Sequence, residues 1–122
     1  MFRVCGVGEA SPSAMRIECR LGGADLNPYL AYSALIAAGL AGIDQELELP
    51  PACEGNAYDN KSLMETARNL RDAVEALNGS EMLRKALGTK VVDHYVYMGR
   101  WEQSEFDKRV TDWELERGFD RA

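Results

Sequence analysis

Histidine and cysteine, the usual ligands of a structural metal, are scarce in this sequence. Its 122 residues hold one histidine, His94, and three cysteines, Cys5, Cys19 and Cys53, with no CxxC pair. A structural zinc site takes four such ligands, more than His94 can add to Cys5 and Cys19 even if those two lie on neighbouring strands. Three cysteines leave one unpaired in any disulfide scheme. The opening Met1-Phe2-Arg3-Val4 lacks the long apolar run of a secretory signal. A reducing, cytoplasmic setting with free thiols is therefore expected. Positive charge is also short: 14 Lys and Arg stand against 20 Asp and Glu, a net charge of −6. That balance excludes non-specific nucleic-acid binding, which needs a basic surface. It leaves room for small anionic ligands, because a local pair of arginines can dominate its own site. The apolar stretch from Tyr29 to Leu40 falls short of the roughly 20 residues of a membrane span, and its ends lack aromatic or basic anchors. No membrane partner is expected. Internal repeats and low-complexity segments are absent from the sequence.

What remains is an ordinary globular composition, 46% apolar and 28% charged, in one domain's length of chain. Phe2–Gly8 reads as a short strand running into Gly6-Val7-Gly8. That lone GxG leads to Ser11-Pro12-Ser13 rather than to a helix, so a dinucleotide loop is rejected. Residues 6–15 read instead as the loop of a hairpin. Asn27-Pro28 opens the clearest helix, with asparagine as N-cap and proline at the first helical position. Its alanine-rich body has no polar face and should be buried on all sides. Residues 44–60 form a connector with turn chemistry at Pro50-Pro51 and Gly55-Asn56. Ser62 to Glu65 is a capping box, predicting an amphipathic helix from Leu63 to Leu77 that stops at Asn78-Gly79. Ser80 caps a short helix closed by Gly88. Thr89 caps the last long one, whose apolar stripe is Val92, Tyr95, Val96, Phe106 and Val110, with Trp101 and Trp113 as extensions. His94 beside that stripe has no second ligand in view. The expected class is α+β and mostly helical: an N-terminal β-hairpin followed by about four helices.

One stretch carries the chemistry. In an extended Arg16-Ile17-Glu18-Cys19-Arg20-Leu21, alternate side chains share a face. Ile17, Cys19 and Leu21 can pack on a core while Glu18 stands between Arg16 and Arg20. A carboxylate can hold a cation and guanidiniums can take anionic oxygens in bidentate fashion, which suits a site handling metal and phosphate together. A solvated strand with self-compensating charge is the simpler alternative on these six residues alone.

The residues that follow bear on that choice. Arg16-Ile17-Glu18-Cys19-Arg20, then Gly23-Ala24-Asp25-Leu26-Asn27-Pro28-Tyr29-Leu30-Ala31, then Ala37 to Ile43, resembles the C-terminal part of the catalytic domain of the glutamine synthetase family. Gly79-Ser80, Leu83-Arg84, Leu87-Gly88, Val91 to Tyr95 and Val110 to Glu114 agree with it. This tail is most similar to the bacterial branch that includes γ-glutamylpolyamine synthetases. The resemblance implies an ATP-dependent carboxylate–amine ligase. Such an enzyme phosphorylates glutamate with ATP and a divalent metal, Mg²⁺ or Mn²⁺, and ammonia or an amine then displaces the phosphate. It implies Glu18 as a metal ligand. Arg20 would be the catalytic arginine that contacts the substrate carboxylate or the transferred phosphate. Arg3 would reach the ATP phosphates, with Arg16 near the nucleotide. It also implies homo-oligomeric rings for the complete enzyme.

The family's Asn-Arg-Ser/Thr motif, its small N-terminal β-domain and its earlier catalytic strands are not in this sequence. The loop from Gly6 to Met15 is longer than in familiar members, and Gly118 stands where an aromatic residue is usual. Residues 1–122 are therefore expected to be a single partial domain, a C-terminal fragment that is inactive alone. A piece of a larger sheet should expose strand edges and apolar faces. The competing expectation is a non-catalytic helical binding or assembly module that retains the strand pair.

Overall fold

A computed structural model of the chain describes residues 2–8, 12–53, 55–60 and 62–121. Part of the expected hairpin loop, residues 9–11, lies outside the described residues. The chain divides into two compact units, residues 1–66 and 67–122.

The first unit opens with β1 (Phe2–Cys5) and β2 (Arg16–Cys19), a two-stranded antiparallel ribbon. A 3-10 turn over Pro12–Ala14 precedes β2, and the register sets Arg3 opposite Glu18 and Cys5 opposite Arg16. Helix α1 (Pro28–Asp44) begins where the sequence predicts. The Asn27 side chain accepts from the amides of Tyr29 at 3.0 Å and Leu30 at 3.3 Å. This satisfies donors that have no intrahelical partner.

The helix runs through Gly39 and Gly42 and closes in a paired-carbonyl cap, with Leu47 N–H donating to Gly42 O and Glu46 N–H to Ile43 O. Glu46 occupies the left-handed position of that cap, at φ 50°, where glycine is usual. Left-handed backbone costs an L-residue roughly 1–2 kcal/mol, partly offset in glycine by its greater unfolded-state freedom. Glu46→Gly is therefore expected to slow hydrogen exchange of the Leu47 amide about threefold, as read by NMR.

The expectation that α1 is buried on all sides is not met: none of its residues is buried, and Ile36 and Ile43 are 64% and 73% exposed. The apolar face of the ribbon is likewise open, with Val4 60% and Ile17 72% exposed. Both surfaces have the composition of core, yet the described residues of the first unit supply nothing to cover them. This agrees with the expected exposure of apolar faces.

The second unit is helical, with α2 (Leu70–Asn78), α3 (Glu81–Leu87), α4 (Thr89–Asp107) and α5 (Asp112–Phe119). Val74 of α2 meets Val92 and Val96 of α4 in a small buried core, with Leu77 and Leu83 packed against it. Gly99 allows the close approach of α2 to α4: a Cβ there would stand 2.4 Å from Val74 Cγ2. Arg84 ties three elements together, donating to Asn78 O at 3.0 Å, Asn78 Oδ1 at 2.8 Å and Asp93 Oδ1 at 2.6 Å. The class is α+β and mostly helical as expected, with five α-helices among the described residues.

Three local expectations are corrected. The Ser62–Glu65 box does not start a helix. Asn60 Oδ1 takes both the Ser62 amide (3.0 Å) and the Ser62 hydroxyl (2.7 Å), so the cap is spent in a turn. Helix α2 starts later, where the Asn69 side chain accepts from Asp72 N at 2.9 Å. Gly88, at φ 89°, rather than Thr89, holds the N-cap of α4. The final stripe breaks after Asp107, so Val110 lies outside α4 and Trp113 belongs to α5, which Thr111 and Glu114 start with a reciprocal capping box.

Candidate functional site

Alternation along two strands in this register places Arg3, Cys5, Arg16 and Glu18 on one face of the ribbon, and Arg20, just past the end of β2, reaches Glu18 from the same side. Phe2, Val4, Ile17 and Cys19 fall on the other. Glu18 is the focus. Its Oε1 lies 3.3 Å from Arg20 Nε, and its Oε2 lies 3.8 Å from Arg3 Nη1. The Cys5 thiol, on the same face, points to Oε2 at 3.8 Å and is the buried member of the group. Arg16 turns away and donates to Ala14 O at 3.1 Å, at the end of the 3-10 turn.

The expected pair of guanidiniums around Glu18 is thus corrected in one member. Arg20 is there, but the second is Arg3 from the neighbouring strand rather than Arg16. Directly opposed residues in an antiparallel pair are closer than alternate residues along one strand, so register decides the neighbour. Cys5 was missed as a member of this face. Its signal was the same alternation, Arg3 and Cys5 lying two apart, which needs the register to be used.

Glu18 is 40% exposed, and the Arg3 and Arg20 side chains are 66% and 53% exposed. Both contacts are longer than the about 2.7–2.9 Å of a charge-assisted hydrogen bond. Such exposed pairs contribute about 0–1 kcal/mol each to stability, so they orient the groups loosely and leave most guanidinium N–H donors free for a ligand. The face is suited to anionic oxygens. It does not by itself suit a divalent cation: one carboxylate faces two guanidiniums, and no group of three or more His, Cys, Asp or Glu is placed to hold a metal among the described residues. Glu18 can be one ligand of a larger shell. It cannot be the shell.

Elsewhere, a groove of about 220 Å³ between α2 and α4 is lined by Arg71, Glu75, Gly99, Arg100 and Asp107. Its charges are matched, Arg71 to Asp107 at 3.0 Å and Arg100 to Glu75 at 2.8 Å, which leaves no surplus charge for a ligand. His94 packs edge-on against Tyr95, their ring centroids 5.4 Å apart. No helix of the described residues is long and apolar enough to cross a membrane.

The family model for the glutamine synthetase catalytic domain matches residues 1–118, and the chain belongs to that family. Among individual relatives, the gamma-glutamylethanolamide synthetase of Streptomyces coelicolor is 48% identical over 120 residues, covering 98% of this chain and 25% of that protein. The glutamate–isopropylamine ligase of a Pseudomonas species is 40% identical over 112 residues, covering 88% of this chain and 24% of that protein. A glutamine synthetase of Methanocaldococcus jannaschii is 36% identical over 115 residues, covering 88% of this chain and 25% of that protein. The chain spans about a quarter of the length of these curated relatives.

Proposed function

We propose that the chain forms the C-terminal segment of the catalytic domain of an ATP-dependent glutamate–amine ligase. Its ribbon face would be one wall of the phosphoryl-transfer site. The observation that carries this reading is the convergence of Arg3 and Arg20 on Glu18 across the hairpin, in a chain of this family. In the proposed reaction the γ-phosphoryl group of ATP passes to the side-chain carboxylate of glutamate, releasing ADP. Ammonia or an amine then attacks the acyl phosphate, forming the C–N bond as phosphate departs.

Phosphoryl transfer is mostly positioning and charge neutralisation, which the residues of this face can supply in part. Arg20 contacts the substrate carboxylate or the transferred phosphate. Arg3 reaches the ATP phosphates, and Arg16 lies toward the nucleotide. Glu18 contributes one carboxylate to a divalent site for Mg²⁺ or Mn²⁺, the other donors coming from outside these 122 residues. When bound, that ion offsets charge on the phosphate oxygens. The proposal places the complete enzyme in the cytoplasm as a homo-oligomer, with glutamate, ATP and an amine or ammonia as its partners and no nucleic acid or membrane among them.

A second reading, a helical binding or assembly module, is favoured by one observation: the helical unit has its own core in Val74, Val92 and Val96. A coupled ADP-release assay on the purified chain, with glutamate and an amine, tests the first reading. No turnover above background is expected, because the single carboxylate leaves the metal shell incomplete. Glutamate-dependent turnover by the chain alone would contradict it.

A further inference from the structure

Helix α1 carries an open apolar stripe. Tyr29, Tyr32, Ile36, Leu40 and Ile43 follow one another at steps of three, four, four and three residues. That mean step matches the roughly 3.5-residue repeat of a two-helix seam and keeps all five side chains on one face. They are 83%, 67%, 64%, 58% and 73% exposed, whereas Leu30, Ala34, Ala37 and Ala41, turned away from them, are half-buried. The order of steps reads the same in both directions, with Ile36 at its centre. Ser33 and Gly39 flank the stripe on either side and share that centre, and a Cβ on Gly39 would meet nothing within 4 Å. A stripe of this symmetry fits an inverted copy of itself. In an antiparallel pair Ile36 meets the partner's Ile36, Tyr32 meets the partner's Leu40, and Tyr29 meets the partner's Ile43.

Charge selects the same alignment. Asp44, at the C-terminal end, is the only charged residue of α1. Antiparallel pairing sets its carboxylate beside the N-terminal end of the partner's helix, where the peptide dipoles leave positive charge. Parallel pairing would set two aspartates side by side. Covering the five side chains removes about 600 Å² per copy, or about 1,200 Å² for the pair, which reaches the lower end of a specific interface at about 1,200–2,000 Å². The tyrosine hydroxyls stay hydrated at its edge. We propose that α1 is the docking surface for a second copy of this chain, in a two-fold antiparallel pair centred on Ile36. The inference goes beyond the reading of the ribbon as a site wall and does not depend on it.

The test is sedentation equilibrium of the purified 122-residue chain and its variants, with far-ultraviolet circular dichroism as the check on folding. The unsubstituted chain is expected to show a monomer–dimer equilibrium at micromolar concentration, ending at twice 13.5 kDa. I36K sets two like charges face to face at the axis and should weaken association by about a hundredfold or more. Y32E and L40K should each weaken it as well. The double variant Y32E/L40K sets each new carboxylate against the partner's new ammonium and should associate about tenfold more tightly than either single variant. Positions 32 and 40 are eight residues apart on one helix, so such a rescue reads a contact between copies, and it decides the matter even where I36K fails to fold. A chain that stays monomeric would overturn the proposal and leave the stripe to the rest of the catalytic domain. Open-ended assembly with no dimer end point would also overturn it. So would a dimer indifferent to I36K, or a double variant no tighter than the single ones, since the contact would then lie elsewhere.

Discussion

Glu18→Gln is expected to lower turnover by about a hundredfold or more when this chain replaces the matching segment of a full-length ligase. The Streptomyces gamma-glutamylethanolamide synthetase, 48% identical over 120 residues, is a suitable host. The substitution keeps the shape of the side chain and removes its charge. Loss of one group aimed at the charge of a transition state typically costs about 10²–10³ in rate. A structural role would give a different result. Glu18 is 40% exposed and its ion pairs contribute at most about 1 kcal/mol each, so a merely structural Glu18→Gln would leave kcat nearly unchanged. The measurement is kcat from amine-dependent ADP release, with elution volume and circular dichroism confirming an unaltered fold. Loss of kcat with intact assembly supports the site, and retention of kcat removes Glu18 from it.

Val92→Ala is expected to cost about 2–3 kcal/mol in the helical unit, the sum of two lost methyl groups and the cavity they leave. Val92 is 1% exposed, at the centre of a core that otherwise consists of Val74 and Val96 with Leu77 and Leu83 against it. A unit of this size is stable by only a few kcal/mol, at about 0.05–0.15 kcal/mol per residue. The loss is therefore a large fraction of its stability and should appear as a marked fall in the midpoint of urea unfolding followed at 222 nm. Its neighbour Val91, 38% exposed, is the internal control. Val91→Ala should shift the midpoint far less, because the same atoms are removed from a site that water already reaches. Equal shifts would mean that the α2–α4 contact does not hold the unit together.

Several features of the fold were legible because they depend on chemistry within a few residues. Asn27-Pro28 fixes the start of α1, and alternation in Arg16–Arg20 fixes the strand. Ser62 misled for an equally local reason, since the acceptor two residues before it outcompeted the helix. What could not be read was whatever depends on a partner. The neighbour of Glu18 is set by the pairing of β1 with β2, which brings in Arg3 and Cys5 and leaves Arg16 on the turn at Ala14. The apolar character of α1 and of Val4 and Ile17 marks surfaces that call for a cover, but composition does not say which segment provides it. The proposed roles of Arg3, Glu18 and Arg20 came from the resemblance to the glutamine synthetase family. The geometry adds that three of the four proposed residues meet and that the fourth, Arg16, points elsewhere.

We propose that these residues are one wall of a glutamate–amine ligase site, incomplete in this chain and functional when the remaining walls are supplied. The most direct test compares amine- and glutamate-dependent ADP release by the 122-residue chain with that of the full-length Streptomyces host carrying residues 2–118 in place of its own matching segment. No turnover by the chain is expected, and turnover by the chimera should come within about tenfold of the host. A chimera that assembles like the host yet releases no ADP, or a chain that turns over by itself, would contradict it.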